Sequence, residues 1–286
     1  MHNTAVKKTN SFALRLNRTF VYIVCVFLAL LSIMPFWIMF VNATRSTPEI
    51  QSGISLLPSG HLMRNLEVLV GKSFDPITGF INSFTVSAGT TICAIYFSSL
   101  TAYALVVYNW RFRQPFFTFI VLIMLIPAQA SAVGFYQFMY KIGWTNSFLP
   151  LILPAIASPA IVFFMRQYLL GALHYEIVES ARVDGSGEFA TFNRIILPIM
   201  APALATQSIF VFVGSWNNLF MPLILLTQKE KYTLPIMVNL LRGDIYKTEY
   251  GSIYLGLSLT ALPLFVIYFL LSRYIIEGVA LGSVKE

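Results

Sequence analysis

Charge is what this chain has least of. Only 11% of its 286 residues are Asp, Glu, Lys or Arg, 57% are apolar, and the mean hydropathy is +0.73. A soluble domain carries about 25% charge, so the deficit excludes a water-soluble globular protein and indicates an integral membrane protein. Histidine is nearly as scarce. His2, His61 and His174 lie far apart, and no Cys or carboxylate cluster has metal-ligand spacing, so no metal is expected. No paired carboxylates or His near an interface suggest a membrane enzyme, so no catalytic residue and no cofactor are assigned. Gly71-Lys72-Ser73 resembles the end of a phosphate-binding loop, but the Gly required five residues earlier is Leu66. Cys25 and Cys93 both fall in apolar runs, where Cys acts as a small apolar side chain.

What the chain has instead is long runs without charge. Six windows (19–44, 76–110, 114–140, 142–165, 195–228 and 250–272) contain no Asp, Glu, Lys or Arg. Each exceeds the roughly 20 residues that cross a 30 Å hydrocarbon core as a helix, and only helices satisfy their own backbone in lipid among open chains of this pattern. The expectation is an all-α protein of one domain, 1–286, with six spans near 20–41, 81–107, 116–138, 147–165, 200–226 and 251–272. The apolar run Phe20–Val41 is too long for a signal-peptide core. With six spans both termini share one side, and 11 of the 19 Lys and Arg fall on that side. The net charge of +7 therefore reads as the positive-inside pattern, with both termini cytoplasmic in a multi-pass, bacterial-type cell membrane.

No span interior carries an ionisable Asp, Glu, Lys or Arg, which argues against a carrier driven by protons. A pathway through such spans is polar and neutral. Its candidates are Asn82, Gln129, Trp216, Asn217 and Asn218, with Tyr103 as a further aromatic surface. Amides and hydroxyls beside aromatic faces suit sugars; the competing reading is hydrogen bonding between helices.

Between the fourth and fifth spans lies a cytoplasmic loop, 166–199, with an unusual concentration of charge: Glu176, Glu179, Arg182, Asp184 and Glu188. Tyr175–Val183 can form a short helix with Glu176 and Glu179 on one face. Gly185 can take a positive φ, and Asp184 or Ser186 can cap a second helix that leads into Ile195-Ile196-Leu197-Pro198. The product is a helix-turn-helix knuckle outside the membrane, suited to a soluble partner.

The spacing Glu179-Ser180-Ala181, three residues, Gly185, nine residues, Ile195-x-Leu197-Pro198 resembles the Glu-Ala-Ala loop of ABC-importer permeases, with Ser180 for the usual Ala. Asn82-Ser83, Ala102-Tyr103-Ala104-Leu105, Ile126-Pro127-Ala128-Gln129, Gly143-Trp144-Thr145-Asn146, Trp216-Asn217 and the tail Gly282-Ser283-Val284-Lys285 are similar to the carbohydrate branch, in particular its maltose-type shorter permease. Gly134 departs from that pattern, where Pro is expected, and so puts the kink of the third span in question. The resemblance implies a type I importer permease that pairs with a second homologous permease. It implies two ATP-binding subunits beneath, which bind and hydrolyse the ATP, and an external binding protein that delivers a sugar, of oligosaccharide class. Glu179 would make a salt bridge to the ATPase, Ala181 and Gly185 would allow close fit, and the loop Gln228–Glu249 would reach the binding protein. An importer permease for another solute such as an amino acid, and a structural or assembly membrane protein, remain as alternative readings.

Overall fold

The computed structural model describes residues 11–71, 74–241 and 249–283, with side chains considered from 18 to 269 within those ranges, Ala128 excepted. The tail Val284-Lys285 and the outer-loop residues 242–248 lie outside the described residues. Every regular element among the described residues is helical. In chain order these are α1 Ser11–Asn42, α2 Thr47–Gln51, α3 Leu62–Gly71, α4 Pro76–Val107, α5 Arg113–Ile123, α6 Ala132–Lys141, α7 Leu149–Ile152, α8 Pro159–Ala172, α9 Tyr175–Val183, α10 Glu188–Thr191, α11 Leu197–Ile199, α12 Ala201–Trp216, α13 Phe220–Leu225, α14 Leu234–Leu241 and α15 Tyr250–Ser283.

Four helical stretches are long and apolar enough to cross a bilayer: Arg18–Asn42, Pro76–Val107, Leu149–Ala172 and Tyr250–Phe269. A fifth arises if Glu188–Ile199 and Ala201–Trp216, bent by 80°, count as one. The third expected span, 116–138, is not one helix. The 11 residues of α5 reach only about 16 Å at 1.5 Å per residue, and the helix stops before Pro127. There the amides of Met124, Leu125 and Ile126 bond three residues back, to Val121, Leu122 and Ile123. Proline drives its predecessor out of the α region and lacks the N–H needed to continue. The break therefore sits at Pro127, while Gly134 lies inside α6. The fourth span also runs past its expected end, since α8 carries Arg166 and continues to Ala172.

The chain divides into two compact units. One comprises residues 1–72 and 244–258. In it Arg45, only 8% exposed, is surrounded by oxygens: Nη1 donates to Asn42 Oδ1 (3.2 Å) and Gly53 O (3.0 Å), and Nη2 donates to Glu49 O. Asn65 Nδ2 donates to the carbonyls of Ala43 (2.8 Å) and Arg45 (3.0 Å). Thr47 ties in residue 249 by donating to Glu249 Oε2 (3.1 Å), and its Oγ1 accepts from Tyr250 N (3.0 Å). The loop after α1 is thus a folded cap, built around a buried guanidinium whose donors are met by two backbone carbonyls and one side-chain amide oxygen.

The other unit comprises 73–243 and 259–286, and α4 is its central helix. Asp75 starts it, with Oδ1 accepting from Ile77 N (3.0 Å) and Thr78 N (3.1 Å) and Pro76 in the first turn. Seven of its thirteen buried residues are small: Gly79, Ser83, Ser87, Ala94, Ser98, Ser99 and Ala102. Small residues let α8 and α12 approach closely where lipid supplies no hydrophobic drive. The hydroxyl of Ser99 returns to its own helix at Ile95 O (2.7 Å).

Gly251 tests the close fit of the first unit. A Cβ there would collide with the carbonyl oxygen of Arg45 and stand 2.5 Å from Asn65 Nδ2. Gly251→Ala is expected to cost about 1–3 kcal/mol and to lower the unfolding temperature in detergent. Gly60→Ala, with nothing within 4 Å of its Cβ, is the control expected to leave it unchanged. Equal melting of both variants would contradict this account.

Candidate functional site

The loop between α8 and α12 folds as a knuckle. Helix α9 spans Tyr175–Val183 and closes with two bonds that cross: Ser186 N to Ala181 O (2.9 Å) and Gly185 N to Arg182 O (3.0 Å). This is a Schellman cap, which requires a left-handed residue just past the helix; Gly185 takes it with φ +78°. The cap uses residues 184–186, so α10 begins only after Gly187, and neither Asp184 nor Ser186 caps it as the sequence suggested. Ser186 Oγ instead accepts from Thr191 Oγ1 (2.9 Å).

The knuckle has a buried and an exposed side. Val178, Phe192 and Ile196 are fully buried in one core with Tyr103 and Val107 of α4, Met165 and Leu169 of α8, and Met200 and Ala203. Residues Phe192–Ile196 form a π-turn, in which Leu197 N bonds to Phe192 O. Phe192 and Ile196, four residues apart, both face inward. Outward lie Glu179, Ser180, Asp184 and Gly185, beside Val183 at 87% exposure and Phe189 at 66%. Ile195 and Leu197 are half-buried and Pro198 is exposed. Ala181, which the resemblance implies allows a close fit, is buried within the chain.

One carboxylate ties the knuckle to the end of α4. Glu188 accepts from Arg182 Nε (2.7 Å) on Oε1, and from Tyr108 OH (2.5 Å) and Tyr103 OH (3.1 Å) on Oε2. Arg182 also donates to Tyr175 OH (3.2 Å) and lies over the Tyr108 ring at 5.8 Å. Its guanidinium, with help from Tyr108, holds the Glu188 carboxyl below the usual carboxylate range. Burial, and then the bond to Glu188, push the Tyr108 phenol up. Tyr103, by sequence an aromatic candidate for the pathway, is buried and belongs to this tether. The available signal was Arg182 and Glu188, an opposite-charge pair six residues apart in a charge-poor chain.

The five pathway candidates separate. Beside the middle of α4, a cavity of about 410 Å³ is lined by Thr90, Ser131, Pro154, Ser215, Asn218 and Met221 among others. Of the five candidates only Asn218 is on its wall, its Oδ1 accepting from Met221 N (3.4 Å). Asn82 is buried and donates to the carbonyls of Glu230 (2.8 Å) and Tyr232 (3.0 Å). Trp216, 1% exposed, donates to Thr260 O (3.1 Å) and stacks on Phe212. Gln129 and Asn217 are exposed on the chain's surface. Asn146, quoted from the sequence only as part of a similar tetrapeptide, proves a main fastening of the loop after α13. Held at φ +57°, it accepts on Oδ1 from Thr227 N (2.6 Å), Thr227 Oγ1 (2.9 Å) and Gln228 N (3.1 Å). The part of the loop Gln228–Glu249 that is described is therefore pinned at both Asn82 and Asn146.

The tether titrates. A carboxylate whose pKa is lowered by folding stabilises the fold above its unfolded pKa, about 4.3 for Glu, and that stabilisation is lost as pH falls through the folded value. Protection of the amides in 175–191, taken as exchange relative to the free-chain rate at the same pH, is expected to be constant near neutral pH and to fall once the pH drops below the ordinary glutamate value of about 4.3. Glu188→Gln should speed exchange at pH 7 and remove the acid-dependent step; an unchanged profile would show that Glu188 does not hold the knuckle.

Residues 94–280 match the family described as binding-protein-dependent transport system inner membrane component. The arabinooligosaccharides transport system permease protein AraQ of Halalkalibacterium halodurans is 34% identical over 91% of this chain and 93% of its own length. The lactose transport system permease protein LacG of Rhizobium radiobacter is 31% identical over 90% of this chain and 92% of its own. A crystal structure of a bacterial ABC transporter involved in import of the acidic polysaccharide alginate has the same fold, with a TM-score of 0.77 at 19% identity over 93% of this chain and 99% of that one. On the sequence match over nearly its full length, this chain belongs to the family of binding-protein-dependent transport system inner membrane components.

Proposed function

We propose that the chain is the permease subunit of an ATP-driven importer for a sugar of oligosaccharide class, and that the knuckle is its coupling element. The observation that carries this reading is the knuckle's two-sidedness. Its outer surface presents Glu179, Asp184, Val183 and Phe189 to a soluble partner, while its inner surface is tied through Glu188 to the central span. A displacement of the knuckle by a pair of ATP-binding subunits is therefore delivered to α4. This chain hydrolyses no ATP; that chemistry belongs to the partner subunits.

The relatives named for arabinooligosaccharides and lactose support a carbohydrate cargo. In this reading Asn218, Ser215 and Thr90 line half of a pathway, and exposed Gln129 and Asn217 meet a second, homologous permease that completes it. A partly apolar wall with a few hydroxyls and amides suits sugar rings, which present C–H faces and hydroxyl edges. The pinned loop after α13 faces an extracytoplasmic binding protein, and the knuckle and both termini face the cytoplasm, in keeping with the distribution of Lys and Arg. The two short helices α5 and α6 make one broken crossing.

Gly185→Asp separates docking from folding. Nothing lies within 4 Å of a Cβ at Gly185, and Asp tolerates the left-handed region better than most residues, so the protein is expected to insert and remain folded. A charge at the knuckle tip should nevertheless release the ATP-binding subunits. In proteoliposomes holding the whole complex, oligosaccharide uptake and binding-protein-stimulated ATP hydrolysis are expected to fall at least tenfold, equivalent to about 1.4 kcal/mol of lost coupling. Normal uptake by this variant would reject the knuckle as the docking element. Uptake of charged solutes only by the unmodified complex would reject the cargo class.

A further inference from the structure

Arginines that the tether does not use gather at the same end of the helices. Tyr108, whose hydroxyl bonds to Glu188, is followed by Trp110-Arg111-Phe112-Arg113 and the start of α5. Arg166 projects from α8, which packs on α5. Its guanidinium lies over the Phe117 ring at 4.0 Å, and Phe117 in turn stacks on Phe163 at 6.0 Å. That ring holds the flat guanidinium face, but leaves its edge without an acceptor. Arg166 Nε is buried and has no hydrogen-bond partner. Arg113 lies one turn before Phe117 on the same face of α5, the face that Arg166 covers, and its Nη1 donates to the Tyr108 carbonyl at a long 3.5 Å.

Two guanidinium groups held together in a partly desolvated place are unfavourable unless an anion lies between them. No carboxylate among the described residues serves: the ion pairs there are Glu49 with His61 and Glu188 with Arg182. The surroundings identify the class of anion. Trp110, Phe112, Phe116, Phe119 and Phe164 are all exposed, and Arg111 lies over Phe112 at 5.5 Å. An aromatic and arginine fringe at a helix end is the composition of a membrane–water interface, and arginine forks match phosphate oxygens in pairs.

We propose that Arg113 and Arg166 bind the phosphate of an anionic phospholipid on the knuckle side of the membrane, with its acyl chains along the exposed faces of Phe116 and Phe119. The bound lipid supplies the missing acceptor for Arg166 Nε and removes the repulsion between the two cations. It also makes α5 and α8 bear jointly on one headgroup at the level where the knuckle leaves the membrane.

The test is lipid titration of the complete transport complex, purified in mild detergent and read by native mass spectrometry. Phosphatidylglycerol and phosphatidylcholine of the same acyl chains are the probes. Phosphatidylglycerol is expected to bind saturably and more tightly. Arg113→Gln should weaken it by about fivefold, the value of one basic residue at an anionic surface, while Arg113→Lys should retain most of it. Arg113 is half-exposed at the first turn of α5, so its variants keep the test valid if Arg166→Gln fails to fold. Equal binding of the two lipids, or no effect of Arg113→Gln, would overturn the proposal. Displacement of phosphatidylglycerol by millimolar inorganic phosphate would assign the site to a free anion and overturn the lipid. Loss of the ATP-binding subunits from the Arg113→Gln complex with lipid binding unchanged would assign the arginines to partner docking, and overturn it as well.

Discussion

Close packing of small side chains along α4 is the constraint on which the second unit rests. In lipid, apolar surface gains little from turning inward, so helices associate where backbones can approach and every polar group finds a partner. The serines and alanines of α4 allow that approach to α8 and α12, and Gly79 allows it to α14, where a Cβ would stand 2.8 Å from Met237 Sδ. A helix fixed along its length in this way is also a rigid rod, and both of its ends are fastened. At one end Asn82 and Ser83 hold the loop before α14, with Ser83 Oγ accepting from Leu234 N at 2.9 Å. At the other, Tyr103 and Tyr108 hold the knuckle through Glu188. The knuckle and the loop on the opposite end are thus attached to one helix.

Around that rod, proline decides where helices are interrupted. Pro127 ends α5, Pro154 and Pro159 segment the approach to α8, and Pro202 opens α12 just after its sharp bend. Freed backbone groups at these places are re-satisfied locally, by three-residue turns after α5 and by the π-turn before α11. Interruptions of this kind are tolerated in membrane helices when neighbours or local turns take up the freed groups.

How much of this is written in the sequence depends on how local each cause is. Helix α9 and the left-handed Gly185 are legible because a cap is made by residues within six positions of one another. Helical class and the rough positions of the apolar stretches follow from charge alone. Charge-free length, however, does not report continuity: the window at 116–138 contains no charge and still breaks at Pro127. Nor does a charge always mark an end, since the ring of Phe117 lets Arg166 stay in α8 for six more residues. The neutral polar residues were the least legible. Asn82, Trp216 and Asn218 look alike as polar groups in apolar runs, yet one pins a loop, one braces helices, and one lines the cavity. What separates them is the neighbour each meets, at a sequence distance of 148 residues for Asn82 and 44 for Trp216.

The 80° bend at Met200 gives the segment from Glu188 to Trp216 the geometry of a bell crank. Its two arms stand nearly at right angles, so a thrust along one has almost no component along the other and arrives as a turning moment. The pivot is stiff, because Phe192, Ile196 and Met200 are all fully buried and none of them yields without opening the core. A thrust on the knuckle along its own arm therefore meets α12 side-on, as a turning load that the buried core shares with α4. Ser215 of the cavity wall stands near the far end of that arm, where leverage about Met200 is greatest.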